Sequence, residues 1–163
     1  MEEQLVERTI KLLAGNLRGV MATNWEKQHI AMTNIDDAYQ ELAMPEFVEE
    51  DFYRFSLDER ISSKDYRFVV GCQRSVQDTT QRADVLEIYT LDILYIHDFK
   101  FDNQSRYYIP MRVRNSVIAL IGSHYRNITG RSSNIVLKDI AMAEEAAKGS
   151  RSVLTGVSYD IVA

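Results

Sequence analysis

The run DVLEIYTLDILYIHDF, Asp84 to Phe99, limits the fold more than any other stretch of this chain. It is rich in β-branched and aromatic residues and holds no Gly or Pro, the composition that a pleated surface favours. Val85, Glu87, Tyr89, Leu91, Ile93, Tyr95 and His97 alternate with Leu86, Ile88, Thr90, Asp92, Leu94 and Ile96. Both faces are mostly apolar, so both are expected to be covered. At about 3.3 Å per residue the strand reaches roughly 50 Å, wider than the core of a small domain. Part of it is expected to project and bury its second face on another molecule, unless a bulge near Asp92 bends it.

A chain of 163 residues is expected to form one domain with a real core. The single Cys72 excludes an internal disulfide and a cysteine-built zinc site. A net charge of −5 gives no general attraction to nucleic acid. Met1-Glu2-Glu3 is followed by no apolar signal region, and no apolar run is long enough to span a bilayer. A soluble intracellular protein without membrane contact is the expectation.

Along the chain, Glu2 to Leu17 predicts a helix. Val6, Ile10, Leu13 and Leu17 form one stripe, widened by Leu5 and Leu12, with Gly15 and Gly19 as candidate stops. Val20-Met21-Ala22 and Ile30-Ala31-Met32 read as short strands, and Asn34 to Met44 as a short helix capped by Asn34 and closed by Pro45. Tyr53 to Leu57 and Tyr66 to Val76 read as strands, with Gly71 as a possible bulge. The short link between Val76 and Asp84 predicts an antiparallel hairpin with the long strand. Gln104 to His124 predicts a second helix, firm from near Ile109 and frayed by Gly122. Its core face is Met111, Val117, Ile118 and Ile121, with Val113 and Leu120 at the margins. Ile135 to Met142 and Ser152 to Val162 read as closing strands, the latter with Val153, Thr155, Val157, Tyr159 and Ile161 on one face; the segment between is a helical turn or a hairpin tip. The fold class is α+β: an antiparallel sheet with a long strand or hairpin, and two main helices packed on one face. Residues 18–64 form an insertion within the single domain.

Chemistry is sparse. His29, His97 and His124 include no pair at metal-binding spacing, and His97-Asp98 reads as a polar strand end. Cys72 shares a strand side with Arg74, which would lower its pKa, but a buried structural thiol is the simpler reading. No phosphate-cradling glycine loop and no G-x-S-x-G elbow is present. No catalytic residue, metal site or cofactor site is assigned, and the protein is read as a non-enzyme.

Charge carries more signal. Residues 34–60 hold Asp36, Asp37, Glu41, Glu46, Glu49, Glu50, Asp51, Asp58 and Glu59 against Arg54 and Arg60. Residues 101–133 hold Arg106, Arg112, Arg114, Arg126 and Arg131 against Asp102. Two such segments suit facing surfaces in a head-to-tail ring; the alternatives are two solvated faces, or a contact within one subunit. The expected subunit or partner interface comprises Tyr89, Leu91, Asp92, Ile93 and Tyr95 of the long strand, Arg106, Arg112 and Arg114, and Glu49, Glu50 and Asp51.

Six pieces carry a family resemblance: the opening helix LVERTIKLLAGNL, the pair YRFVVGCQRSV and DVLEIYTLDILYIHDF, the helix YIPMRVRNSVIALI, and the closing strands IVLKDIAM and VLTGVSYDIVA. In order and character they resemble the tail-terminator and tail-completion proteins of tailed bacteriophages; residues 18–64 depart from the simple form of that fold. The resemblance implies a homo-oligomeric, six-fold ring that caps the tail tube at its head-proximal end, in the virion at the tail–neck junction. Its partners would be the tail tube, the sheath protein and the neck or connector, with DNA only passing through the lumen. Another phage neck or tail-completion ring fits the same order. A small adaptor or ligand-binding α+β domain is the alternative of a different class, and a small enzyme around Cys72 or His97 is a third.

Overall fold

The computed structural model describes residues 1–31, 47–55, 65–79, 84–99, 108–130, 134–147 and 150–162. Its elements are α1 (Glu2–Ala31), a 3-10 turn (Glu49–Asp51), β1 (Phe52–Arg54), β2 (Tyr66–Thr79), β3 (Asp84–Phe99), α2 (Tyr108–Thr129), β4 (Asn134–Ala147) and β5 (Ser150–Val162). The strands form one sheet in the order β1-β2-β3-β5-β4. Every neighbouring pair is antiparallel except β1 with β2, so the sheet is mixed. The α+β reading holds, with β1 as the departure from a purely antiparallel sheet.

Alternation decides which side of the sheet is inside. Phe68, Val70 and Cys72 of β2, Tyr89, Leu91, Ile93 and Tyr95 of β3, and Val153, Thr155, Val157, Tyr159 and Ile161 of β5 are all buried. The register sets these rows side by side, for example Cys72–Leu91–Tyr159. Helix α1 covers β2, α2 covers β5 and β3, and the helices pack on each other. The predicted stripe of α1, Leu5, Val6, Ile10, Leu12, Leu13 and Leu17, is buried against that inner face. Each such side chain contributes about 1.5–3 kcal/mol on burial.

Several local expectations are corrected. Helix α1 does not stop at Gly15 or Gly19: Val20-Met21-Ala22 and Ile30-Ala31 are helical, not strands. A helical glycine costs only about 1 kcal/mol relative to alanine, and no proline interrupts residues 16–31. The helix expected over Asn34 to Met44 lies outside the described residues. Of the strand expected over Tyr53 to Leu57, Ser56 and Leu57 lie outside the described residues; the strand described is Phe52–Arg54, anchored by Phe52 stacked on Phe68 with ring centroids 4.5 Å apart.

Helix α2 buries Val117 and Ile121 as expected, but its inward face is rotated toward the expected margins, and Ile118 is only half-buried. Val113, Val117, Leu120 and Ile121 form its buried stripe, whereas Met111 is exposed. It also passes Gly122, kinks at His124 (φ −128°) and continues to Thr129. Gly130 then closes it with φ 79° and an N–H to Arg126 O hydrogen bond of 2.9 Å. The extra turns bring Ile128 fully into the core.

Neither Gly71 nor Asp92 is a bulge: the two pair with each other in an unbroken β2–β3 register. The irregularity lies in β4, where Leu137 pairs with Tyr159 and Asp139 with Ser158, leaving Lys138 as the extra residue. Ala143 to Ala147 and Ser150-Arg151 belong to the paired strands β4 and β5, with Ala147 opposite Ser150, and are not helical.

Candidate functional site: the open sheet face and the cleft at its edge

Among the described residues the helices occupy one face of the sheet only. The other face carries Val69, Leu94, Ile96 and Leu154 near one end, with Ile96 buried and the others half-buried. Toward the other end it turns polar: Ser158 donates to Asp92, and Thr90 Oγ1 donates to Asp160 at 2.9 Å. Lys138 Nζ stands 3.8 Å from Asp160. Arg67 NH1 reaches Asp98 Oδ2 at 2.7 Å, and Ser152 donates to the same carboxylate. These hydrogen bonds hold the Asp98 carboxyl below its ordinary range although partial burial opposes them. By register, Asp92, Asp98, Asp139, Glu145 and Asp160 lie on this face against Arg67 and Lys138, so it is acidic.

The inner face runs out of cover at β4. Its inward positions, opposite Ile161, Tyr159, Val157 and Thr155, are Ile135, Leu137, Ile140 and Met142. Ile135 is half-buried, but Leu137, Ile140 and Met142 are exposed, because α2 lies over β5 and only grazes β4. Between the C-terminal half of α2 and this strand lies a cleft of about 410 Å³, walled by Ile118, Ile121, Ile135 and Leu137, with Gly122, Tyr125 and Asn134 at its margin. Tyr159 also lines it; the residue is 4% exposed and its hydroxyl has no hydrogen-bond partner. Burial pushes that phenol up to about 12.

The structure separates the residues assigned to an interface from sequence. Tyr89, Leu91, Ile93 and Tyr95 point into the subunit's own core and are not available to a partner; the outward set is Ile88, Thr90, Asp92 and Leu94. Asp92 alone of the assigned strand residues is exposed. Arg112 is 6% exposed, turned in beside Val113, whereas Arg114 is half-buried at the surface. Arg106 lies outside the described residues. Glu49 and Glu50 are exposed, but Asp51 is buried: its Oδ2 accepts the Val48 N–H at 3.0 Å and so caps the 3-10 turn. The assignment failed where it used apolar character alone. A strand with two apolar faces does not declare which one the helices will take. The cleft was missed altogether, because it depends on where α2 ends relative to β4.

The chemistry of the isolated groups is that of packed residues. Cys72 is buried, and burial, with Glu2 and Asp92 nearby, pushes its thiol up to about 11. Arg74 shares its strand side but engages Glu87 across the β2–β3 pair. His97 shares a 2.7 Å hydrogen bond with the Tyr95 hydroxyl, and burial lowers its pKa to about 4. Among the described residues no three His, Cys, Asp or Glu side chains converge on a possible metal position, and no helix is long and apolar enough to cross a membrane. No family model matches this chain, and no curated protein matches it.

Proposed function

We propose that this protein is a structural subunit that associates with copies of itself into a closed ring, and that the ring is a tail terminator of the tailed-phage kind. What carries the reading is β4: a 14-residue edge strand whose inward apolar residues Leu137, Ile140 and Met142 stand exposed. An apolar strip that no described residue covers, beside a sheet edge, suits burial against a neighbouring subunit. In a six-fold ring the acidic open face of the sheet would line the lumen, where carboxylates repel the DNA phosphates and let the duplex pass without binding. The ring would cap the tail tube and dock to the neck or connector at the tail–neck junction of the virion. Catalysis, cofactors and membrane contact have no part in this reading.

The test is the mass of the purified particle by light scattering, with negative-stain images of the same fraction. A closed ring that stops elongation of tail tubes supports the terminator. A monomer at high concentration, with or without added tubes, overturns it. The second reading, a small ligand-binding domain, is favoured by the cleft beside Tyr159 and predicts that monomer.

A further inference from the structure

We infer that ring closure seats Phe55 of one subunit in the cleft between α2 and β4 of the next. This deepens the ring reading above and rests on it.

Phe55 follows β1 at one edge of the sheet. It is 48% exposed, and its backbone is left-handed, with φ 64°. That conformation is rare for a residue with a bulky side chain. Its N–H donates to Val70 O at 2.8 Å, so the ring is presented from a fixed backbone. One exposed aromatic residue is ordinary by itself. What sets this one apart is its counterpart at the opposite edge.

The cleft offers apolar walls and one buried hydroxyl, on Tyr159, that lacks a partner. Gly122 contributes no side chain, and a Cβ built there meets nothing within 4 Å. That margin of the cleft is therefore open.

Register places the two on the same level. Phe55 lies beside Gly71, which pairs with Asp92, then Ser158, then Asp139. The adjacent row, Cys72–Leu91–Tyr159–Leu137, ends in the cleft. Knob and hole thus lie at about the same level along the strands and at opposite edges of the sheet, with the Gly71 row on the open face and the Tyr159 row on the helix face. A contact between opposite edges is head-to-tail, the kind that generates rings. Charge agrees. Glu49 and Glu50 are exposed in the turn that leads into β1, while exposed Arg126 lies with its guanidinium 5.8 Å from the ring centroid of Tyr125, a residue that lines the cleft.

The experiment compares the full chain with Phe55→Ser (knob removed) and Gly122→Trp (hole filled) by light scattering, with circular dichroism and melting as folding controls. Each variant is expected to remain folded and to associate at least tenfold more weakly. An equimolar mixture of the two should give a dimer and nothing larger, because each retains one good half. A second pair touches only exposed side chains: Glu49→Lys with Glu50→Lys should weaken association, and Arg126→Glu added to the same chain should restore it. If the unaltered chain forms a ring and these variants form it equally well, the Phe55 seat is overturned while the ring stands. If the unaltered chain stays monomeric and the mixture gives no dimer, both fall. Binding of a small apolar fluorescent probe that Gly122→Trp abolishes would then assign the cleft to a small ligand.

Discussion

Leu137 and Ile140 stand on the same face of β4 although three positions separate them, because the register slips by one residue at Lys138. In a regular strand residues three apart point to opposite faces. The bulge carries the apolar pattern of β4 past Lys138-Asp139 and keeps Ile140 and Met142 on the side of Leu137. The continuous apolar strip, and with it one wall of the cleft, depends on that slip.

Deleting Lys138 should therefore be tolerated. The shortened strand reads Leu137, Asp139, Ile140 in plain alternation, with the downstream pairings of Asp139 and Ile140 unchanged. Stability is expected to change by no more than about 1 kcal/mol in urea titration, whereas deleting Ala141 turns Met142 outward and should cost more. Equal, large losses for both deletions would contradict the assigned bulge.

His97 should make the fold sensitive to mild acid. Burial holds its pKa near 4, against 6.5 when unfolded, with Asp65 and Asp98 opposing part of the shift. The unfolded chain then binds the extra proton first. Stability should be full above pH 6.5 and fall as the pH drops toward 4, by at most about 3 kcal/mol. His97→Gln should flatten the dependence in this window. An unchanged slope in that variant would mean that other groups carry it.

Arg112 and Arg114 should behave differently on charge reversal. Arg112 is buried, so Arg112→Glu places the wrong charge in the core and should cost about 3 kcal/mol or more. Arg114→Glu, at a half-buried surface position, should leave the melting temperature within a few degrees. Thermal melts of the two variants decide it, and equal effects would show that the burial difference does not govern them.

Cys72 should be inert while the protein is folded. With its thiol pushed up to about 11, little thiolate exists at pH 8. A disulfide reagent is expected to label it only as fast as the chain opens, and addition of urea should accelerate the reaction steeply. Labelling at the rate of a free exposed thiol would contradict the buried position.

Local periodicity was enough for much of the fold. The stripe Val6, Ile10, Leu13 and Leu17, the alternation from Val153 to Ile161, and the pairing of β2 with β3 across a short link are all properties of neighbours along the chain. Residues close in sequence fix helix or strand, and a short link leaves the hairpin as the simplest pairing. These determined the α+β class and its single main layer of helices.

Tertiary structure decided what periodicity leaves open. Tyr89 and Ile88 are both apolar enough to go inside; the core takes Tyr89 because its row continues into Leu91, Ile93 and Tyr95, which the helices cover. Asp51 and Glu50 look alike in sequence, yet only Asp51 turns in to cap Val48. The parallel seat of β1, the phase of α2, and the cleft beside Tyr159 depend on elements far apart in the chain. The sequence by itself determined which elements form, because that is settled by neighbours. Which faces remain for a partner was decided only when the elements packed, because burial belongs to the whole assembly of them.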